Sequence, residues 1–156
     1  MATVAELIGT PVHASEFDLG DALEPGKKAT GVGSAIPIGR VAFLTGSTGI
    51  WAIATAGSTG RIAIIPKLHQ GDANTDSSSN VVVAARPGAQ YIVEANGAIK
   101  PGSQVLPDTG GKVKTSGGTQ GFAVYKGHNG EGSAGNPPTD AAAAEAVIIE
   151  LSGDVV

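Results

Sequence analysis

The sequence predicts an all-β protein, a compact β-barrel or β-sandwich with an extended N-terminal arm and long surface loops. Three observations point there. Glycine occurs 24 times and proline 9 times in 156 residues, a share expected of short strands joined by tight turns. The apolar residues, 41% of the chain, fall in short runs separated by turn chemistry. The apolar content is mostly Ala, Val and Ile, aromatics being only 4%, so the core is built from small and β-branched side chains that favour strands.

A chain of this length suits one domain and hides roughly two-thirds of the surface its unfolded form exposes. Residues 1–30 form an arm or wrapping segment and residues 31–156 the β domain. In the arm Val4, Leu7, Ile8, Val12, Phe17, Leu19 and Leu23 recur without a sustained alternation, and Pro11, Gly20, Pro25 and Gly26 interrupt them. Ser15, ahead of Glu16, Phe17 and Asp18, suits the cap of one helical turn ending near Gly20. Fully extended, such a segment reaches on the order of 100 Å, enough to grip a neighbour.

Strands follow in order. Val41–Leu44, Ile50–Ala54 and Arg61–Ile65 are separated by two copies of Gly-Ser-Thr-Gly, at 46–49 and 57–60, a spacing that suggests a meander. Two copies do not make a solenoid. Gly71–Asn80 is polar and small, a surface loop between strands. Further strands are expected at Val81–Ala85, Gln90–Glu94, Gln104–Leu106, Lys112–Thr115, Gly121–Lys126 and Glu145–Leu151. In the last, Val147, Ile149 and Leu151 share a face opposite Ala146, Ile148 and Glu150. Asn96-Gly97 suits a hairpin tip and Pro101-Gly102 a type II turn. Gly127–Pro138 is a second long loop, and Asp140 before four alanines suits the start of a helical turn.

Charge and composition exclude several functions. The formal charge is −4, of which the first 30 residues supply −3. The remaining Lys and Arg are scattered, so the basic footprint of a nucleic-acid binder is missing. Cysteine is absent, which removes disulfides, thiolate metal sites and a thiol nucleophile. No apolar stretch approaches the roughly 20 residues needed to span a bilayer, and the N-terminus does not resemble a secretion signal, so synthesis in the cytoplasm is expected.

The motifs that suggest chemistry each lack an essential part. Gly31-Val-Gly-Ser-Ala-Ile36 begins like a dinucleotide fingerprint, but Ile36 stands where the third glycine belongs. Before Gly110-Gly-Lys-Val113 a phosphate loop would need glycine at Leu106 and a hydroxyl at Val113. The stretch Asp72 to Ser77 opens like a calcium loop, yet Ser77 replaces its glycine and Val83 its glutamate. His13, His69 and His128 lie in separate segments, unpaired as metal ligands. No Gly-x-Ser-x-Gly elbow occurs, so no catalytic residue, cofactor or metal site is expected. Trp51 fits a core or subunit contact better than a sugar platform. Tyr91–Val105 is similar to the hairpin of biotinyl and lipoyl carrier domains, but its tip is Asn96-Gly97 with no lysine to acylate.

One resemblance is broader. Ala95-Asn-Gly-Ala-Ile-Lys-Pro-Gly-Ser-Gln-Val-Leu-Pro-Asp-Thr-Gly-Gly-Lys-Val113, then Gly121-Phe-Ala-Val124, an alanine-rich stretch and Glu145–Leu151, resembles the capsid decoration (cement) proteins of tailed bacteriophages. It covers roughly residues 80–152. The resemblance implies a viral structural protein, not an enzyme, made in the host cytoplasm and bound to the outer surface of the assembled head. Its partners would be the major capsid protein and its own copies, a homotrimer before a homodimer, with neither nucleic acid nor membrane. Expected capsid or subunit contacts are Glu16, Phe17, Asp18, Leu19, Asp21 and Trp51. The alternative is a surface-displayed glycan-binding or adhesive module using the loops at 71–80 and 127–138.

Overall fold

A computed structural model describes residues 3–12, 23–28, 37–46, 49–67 and 80–153, with backbone alone for 23–28 and 80–82. The described residues are mostly β, two packed sheets with one short α-helix among them, an all-β fold. The helix α1 (Val4–Leu7) is capped by Thr3, whose hydroxyl accepts from the Glu6 N–H while the Glu6 carboxylate accepts from the Thr3 N–H. The helical turn expected at Ser15–Gly20 lies outside the described residues.

The first sheet contains β1 (Leu23–Lys28), β2 (Val41–Leu44), β3 (Ile50–Ile53), β4 (Ile62–Ile64) and β5 (Asn80–Ala84). Its neighbours run β1-β3-β2-β4-β5, and β5 pairs back on β1. The ring closes through thin seams: Ile64↔Ala84 joins β4 to β5, and two register pairs join β1 to β3 in parallel. Residues 23–28, expected within the arm, are therefore a strand of this sheet. The meander is also corrected. The first Gly-Ser-Thr-Gly joins the antiparallel pair β2/β3, but β4 lies on the other side of β2, so the second copy begins a crossover.

The second sheet has the order β6-β10-β9-β7-β8, with β6 (Gln90–Glu94), β7 (Gln104–Asp108), β8 (Lys112–Thr115), β9 (Ala123–Gly127) and β10 (Ala146–Leu151). Since β6 and β7 are not neighbours, Asn96-Gly97 is not a hairpin tip. The Asn96 N–H instead donates to Val113 O at 2.7 Å, tying the end of β6 to the far edge strand β8. Pro101-Gly102 does make the type II turn: Gly102 has φ 84° and the Ser103 N–H donates to Lys100 O at 3.0 Å. The alanines after Asp140 form no helix. Ala141 bridges Ile99, and the chain turns through Ala144 at φ 68° into β10.

Residues 9–12 cover the outer edge of β6. Gly9 and Val12 N–H groups donate to Ile92 and Gln90 carbonyls, and the Ile92 N–H donates to Thr10 O. An edge that would otherwise pair with another chain is thus satisfied within this one.

Period-2 alternation explains the core. In the first sheet Val41, Ile62, Ile64 and Ala84 face the second sheet and join Tyr91, Val93, Val105, Phe122, Tyr125, Val147 and Ile149 in one buried cluster. The intervening Ala42, Ala63, Ile65 and Val83 surround Trp51 in a smaller one. Strands buried on both faces read as unbroken apolar runs, as these do. In β10, Val147, Ile149 and Leu151 are buried on one face, and on the opposite face Ile148 is buried too while Ala146 and Glu150 are half-buried, so that face is partly covered.

Candidate functional site

The densest polar cluster among the described residues gathers where β9 gives way to the long loop. β9 carries Tyr125 into the core and ends at Gly127, whose φ is 120°. A Cβ there would meet Pro138 Cβ at 3.0 Å and Glu131 Oε1 at 3.1 Å, so the strand end, the turn and the returning loop pack closely only around a glycine. Residues 128–131 form a turn closed by the Glu131 N–H donating to His128 O at 3.1 Å.

This turn folds the Glu131 carboxylate back over the loop. Its Oε1 accepts from the His128 N–H at 2.6 Å and lies 2.9 Å from His128 Nδ1, while its Oε2 accepts from the Thr139 hydroxyl at 2.6 Å. On the opposite side of the imidazole, Nε2 faces Glu145 Oε2, just ahead of β10. The Tyr125 hydroxyl donates to Thr139 O at 2.8 Å and its ring stands edge-on to the imidazole. One histidine therefore joins the two ends of the loop to the start of β10.

The electrostatics follow from that placement. Burial opposes charge on His128, but the carboxylates of Glu145 and Glu131 outweigh it and raise the imidazole above its ordinary 6.5. Glu131 is held down at about 2 by the Thr139 hydroxyl, the His128 N–H groups and the Thr139 amide. Tyr125 is pushed up to about 12 by burial, then by Glu131, Glu145 and Asp140. The cluster is thus arranged to hold a protonated imidazole between two carboxylates.

What the arrangement does chemically is clamp. With both ring nitrogens directed at carboxylates, a protonated His128 has no free lone pair with which to take a proton from Thr139, whose hydroxyl is already committed to Glu131. The carboxylates also lie at opposite ring nitrogens and do not converge on one cation; among the described residues no group of three His, Asp or Glu is placed to hold a metal. Two shallow, uncharged depressions flank the turn after β8, lined by Gln104, Thr119, Gln120, Gly121 and Ser152 on one side and Ser103, Thr115 and Ser116 on the other. No described helix is long and apolar enough to cross a membrane.

Of the contact residues expected from the sequence, Glu16, Phe17, Asp18, Leu19 and Asp21 lie outside the described residues, as do His13, His69 and most of the 71–80 loop. Trp51 is 3% exposed, a core residue of the chain's own smaller cluster. The clamp was not expected. Its nearest sequence signal is His128 and Glu131 spaced to close a turn over Asn129-Gly130, but Glu145 is brought in only by the β9/β10 pairing.

No protein-family model matches the chain, and no curated protein matches it.

Proposed function

We propose that this protein is a capsid decoration protein of a tailed bacteriophage, binding the outer surface of the assembled head and stabilising it. The observation that carries this reading is where the resemblance falls. Residues 80–152 span β5 through β10, and so include the whole second sheet. The shared turn phrases there also have structural roles: Pro101-Gly102 makes the type II turn, Gly111 donates to Ala54 O of the first sheet at 3.0 Å, and Gly121 lies against Val105 N, where a Cβ would come within 2.8 Å. The resemblance therefore rests on residues that set backbone geometry, which a shared fold would require.

A protein of this kind works by mass action, since binding only the assembled shell stabilises that state. Copies repeated over a lattice add their weak contacts. The major capsid protein is the partner, copies of this chain are the second contact, a trimer before a dimer, and the acidic stretch Glu16, Asp18 and Asp21 is the proposed point of attachment. Among the described residues the aromatic platform a glycan-binding module would need finds no support: Trp51, Tyr91, Phe122 and Tyr125 are buried and Phe43 packs against the core.

The test is co-sedimentation of the purified chain with undecorated heads of the phage from which it derives. Saturable binding at fixed stoichiometry and a rise in the temperature of head disruption are expected. Deleting residues 1–30 would also remove β1, so the attachment is tested in the full chain by Glu16→Gln, Asp18→Asn and Asp21→Asn together, which should weaken binding and leave the fold intact. Absence of saturable binding by the unaltered chain would overturn the proposal.

A further inference from the structure

Of the chain's five asparagines, Asn96, Asn129 and Asn136 have described side chains, and the structure treats these three differently. Asn129 and Gly130 are the central residues of the turn closed by the Glu131 N–H and His128 O, with Gly130 at φ 89°. Both are exposed, and nothing lies within 4 Å of where a Gly130 Cβ would be. Among the described residues the Gly130 N–H donates none of the backbone hydrogen bonds that close the loop. Without a side chain at Gly130, that nitrogen can approach the Asn129 side-chain carbonyl unhindered.

We propose that Asn129 is a site of spontaneous deamidation, and that its conversion loosens the His128 clamp. After losing its proton, Gly130 N attacks Asn129 Cγ; the new C–N bond closes a five-membered succinimide, the bond from Cγ to the side-chain nitrogen breaks, and ammonia leaves with the proton. Water then opens the ring at either carbonyl, giving aspartate or isoaspartate. Either product puts a new carboxylate next to His128. Isoaspartate also routes the main chain through an additional carbon, within the four-residue turn that directs Glu131 at the imidazole.

The other two asparagines lack this combination. Asn96 also precedes a glycine, but its side-chain amide donates to Asp108 Oδ2 at 2.9 Å and its backbone N–H to Val113 O at 2.7 Å, so it is held on both sides. Asn136 donates to Gly130 O at 3.1 Å and precedes Pro137, whose nitrogen has no proton to lose.

The experiment incubates the full chain in mildly alkaline buffer at physiological temperature and maps the amide-to-acid mass change and isoaspartate by peptide mass spectrometry. Conversion at Asn129 should run several-fold faster than at Asn96, and Asp108→Ala, which frees the Asn96 amide, should narrow that gap. Isoaspartate protein should show the His128 ring resonance titrating below that of Asn129→Asp protein, which carries the same added carboxylate on an unlengthened turn, whereas Asn129→Gln protein incubated alongside should keep both its mass and its titration. Equal conversion at the two sites, or none at Asn129, overturns the site. Isoaspartate and Asn129→Asp proteins with the same His128 titration overturn the link to the clamp.

Discussion

Arg40 and Glu94 meet at 2.6 Å across the two sheets. Arg40 stands just before β2 and Glu94 ends β6, while Lys112, opening β8, reaches the other carboxylate oxygen at 3.2 Å. Burial alone would raise the Glu94 carboxyl, but Arg40 and then Lys112 outweigh it and hold it below its ordinary 4.5. The triad fixes the register of one sheet on the other, where the apolar cluster supplies attraction without direction.

Replacing Glu94 by Gln should cost about 1–2 kcal/mol, as expected for losing charge-assisted hydrogen bonds at a half-buried site. The urea midpoint should fall with an unchanged slope. Because the folded carboxyl is depressed, its contribution is present above pH 4.5 and is lost as pH falls through the lowered value. The gap between Glu94→Gln and the unaltered chain should therefore shrink in acid. Parallel stability curves across that range would show that the triad adds nothing.

The His128 clamp has an optimum set by two opposite signs. His128 is raised in the folded state, so its contribution is complete below its unfolded value of 6.5 and is lost as pH rises through the folded value. Glu131 is depressed to about 2, so its contribution is present above 4.5 and is lost as pH falls through that low value. The loop should be held most firmly between about 4.5 and 6.5, the window these two shifts define. Ring resonances followed by NMR should place the His128 titration above 6.5, and Glu131→Gln should lower it. A His128 titration unmoved by that substitution would mean the two groups are not coupled.

The strands β2 through β10 were legible because their physical cause is local: runs such as Val41–Leu44 and Ile62–Ile64 bury both faces, and both faces are apolar. β1 was not legible. Its sequence Leu-Glu-Pro-Gly-Lys-Lys has neither alternation nor an apolar run, and its place in the sheet comes from backbone pairing. Pro25 and Gly26 fall where β1 pairs with β5 alone, and only Lys27 and Lys28 reach β3, so the missing proline donor costs no ladder bond on that side. Strand order escaped for a similar reason, since Asn96-Gly97 has hairpin chemistry while β6 finds its partner in β10, more than 50 residues away. The clamp needed that topology before Glu145 could be set beside His128.

The contact between Gly9 and Gly39 fastens the N-terminal segment. Both residues are left-handed, at φ 84° and 82°, and their N–H groups donate in opposite directions, Gly9 to Ile92 O of the second sheet and Gly39 to Ile65 O of the first. A Cβ on Gly39 would lie 2.5 Å from Ile8 Cβ and 2.7 Å from the Ile8 carbonyl carbon, so neither backbone nor side chain leaves room. Gly39→Ala should combine that clash with a left-handed alanine and cost about 1–3 kcal/mol. The damage should be local. Amide exchange at Gly9, Val12 and Ile92, which carry the bonds between the segment and β6, should accelerate most, while the β9/β10 ladder keeps its protection. Uniform acceleration across both sheets would instead mean that residues 8–12 open only when the whole fold does.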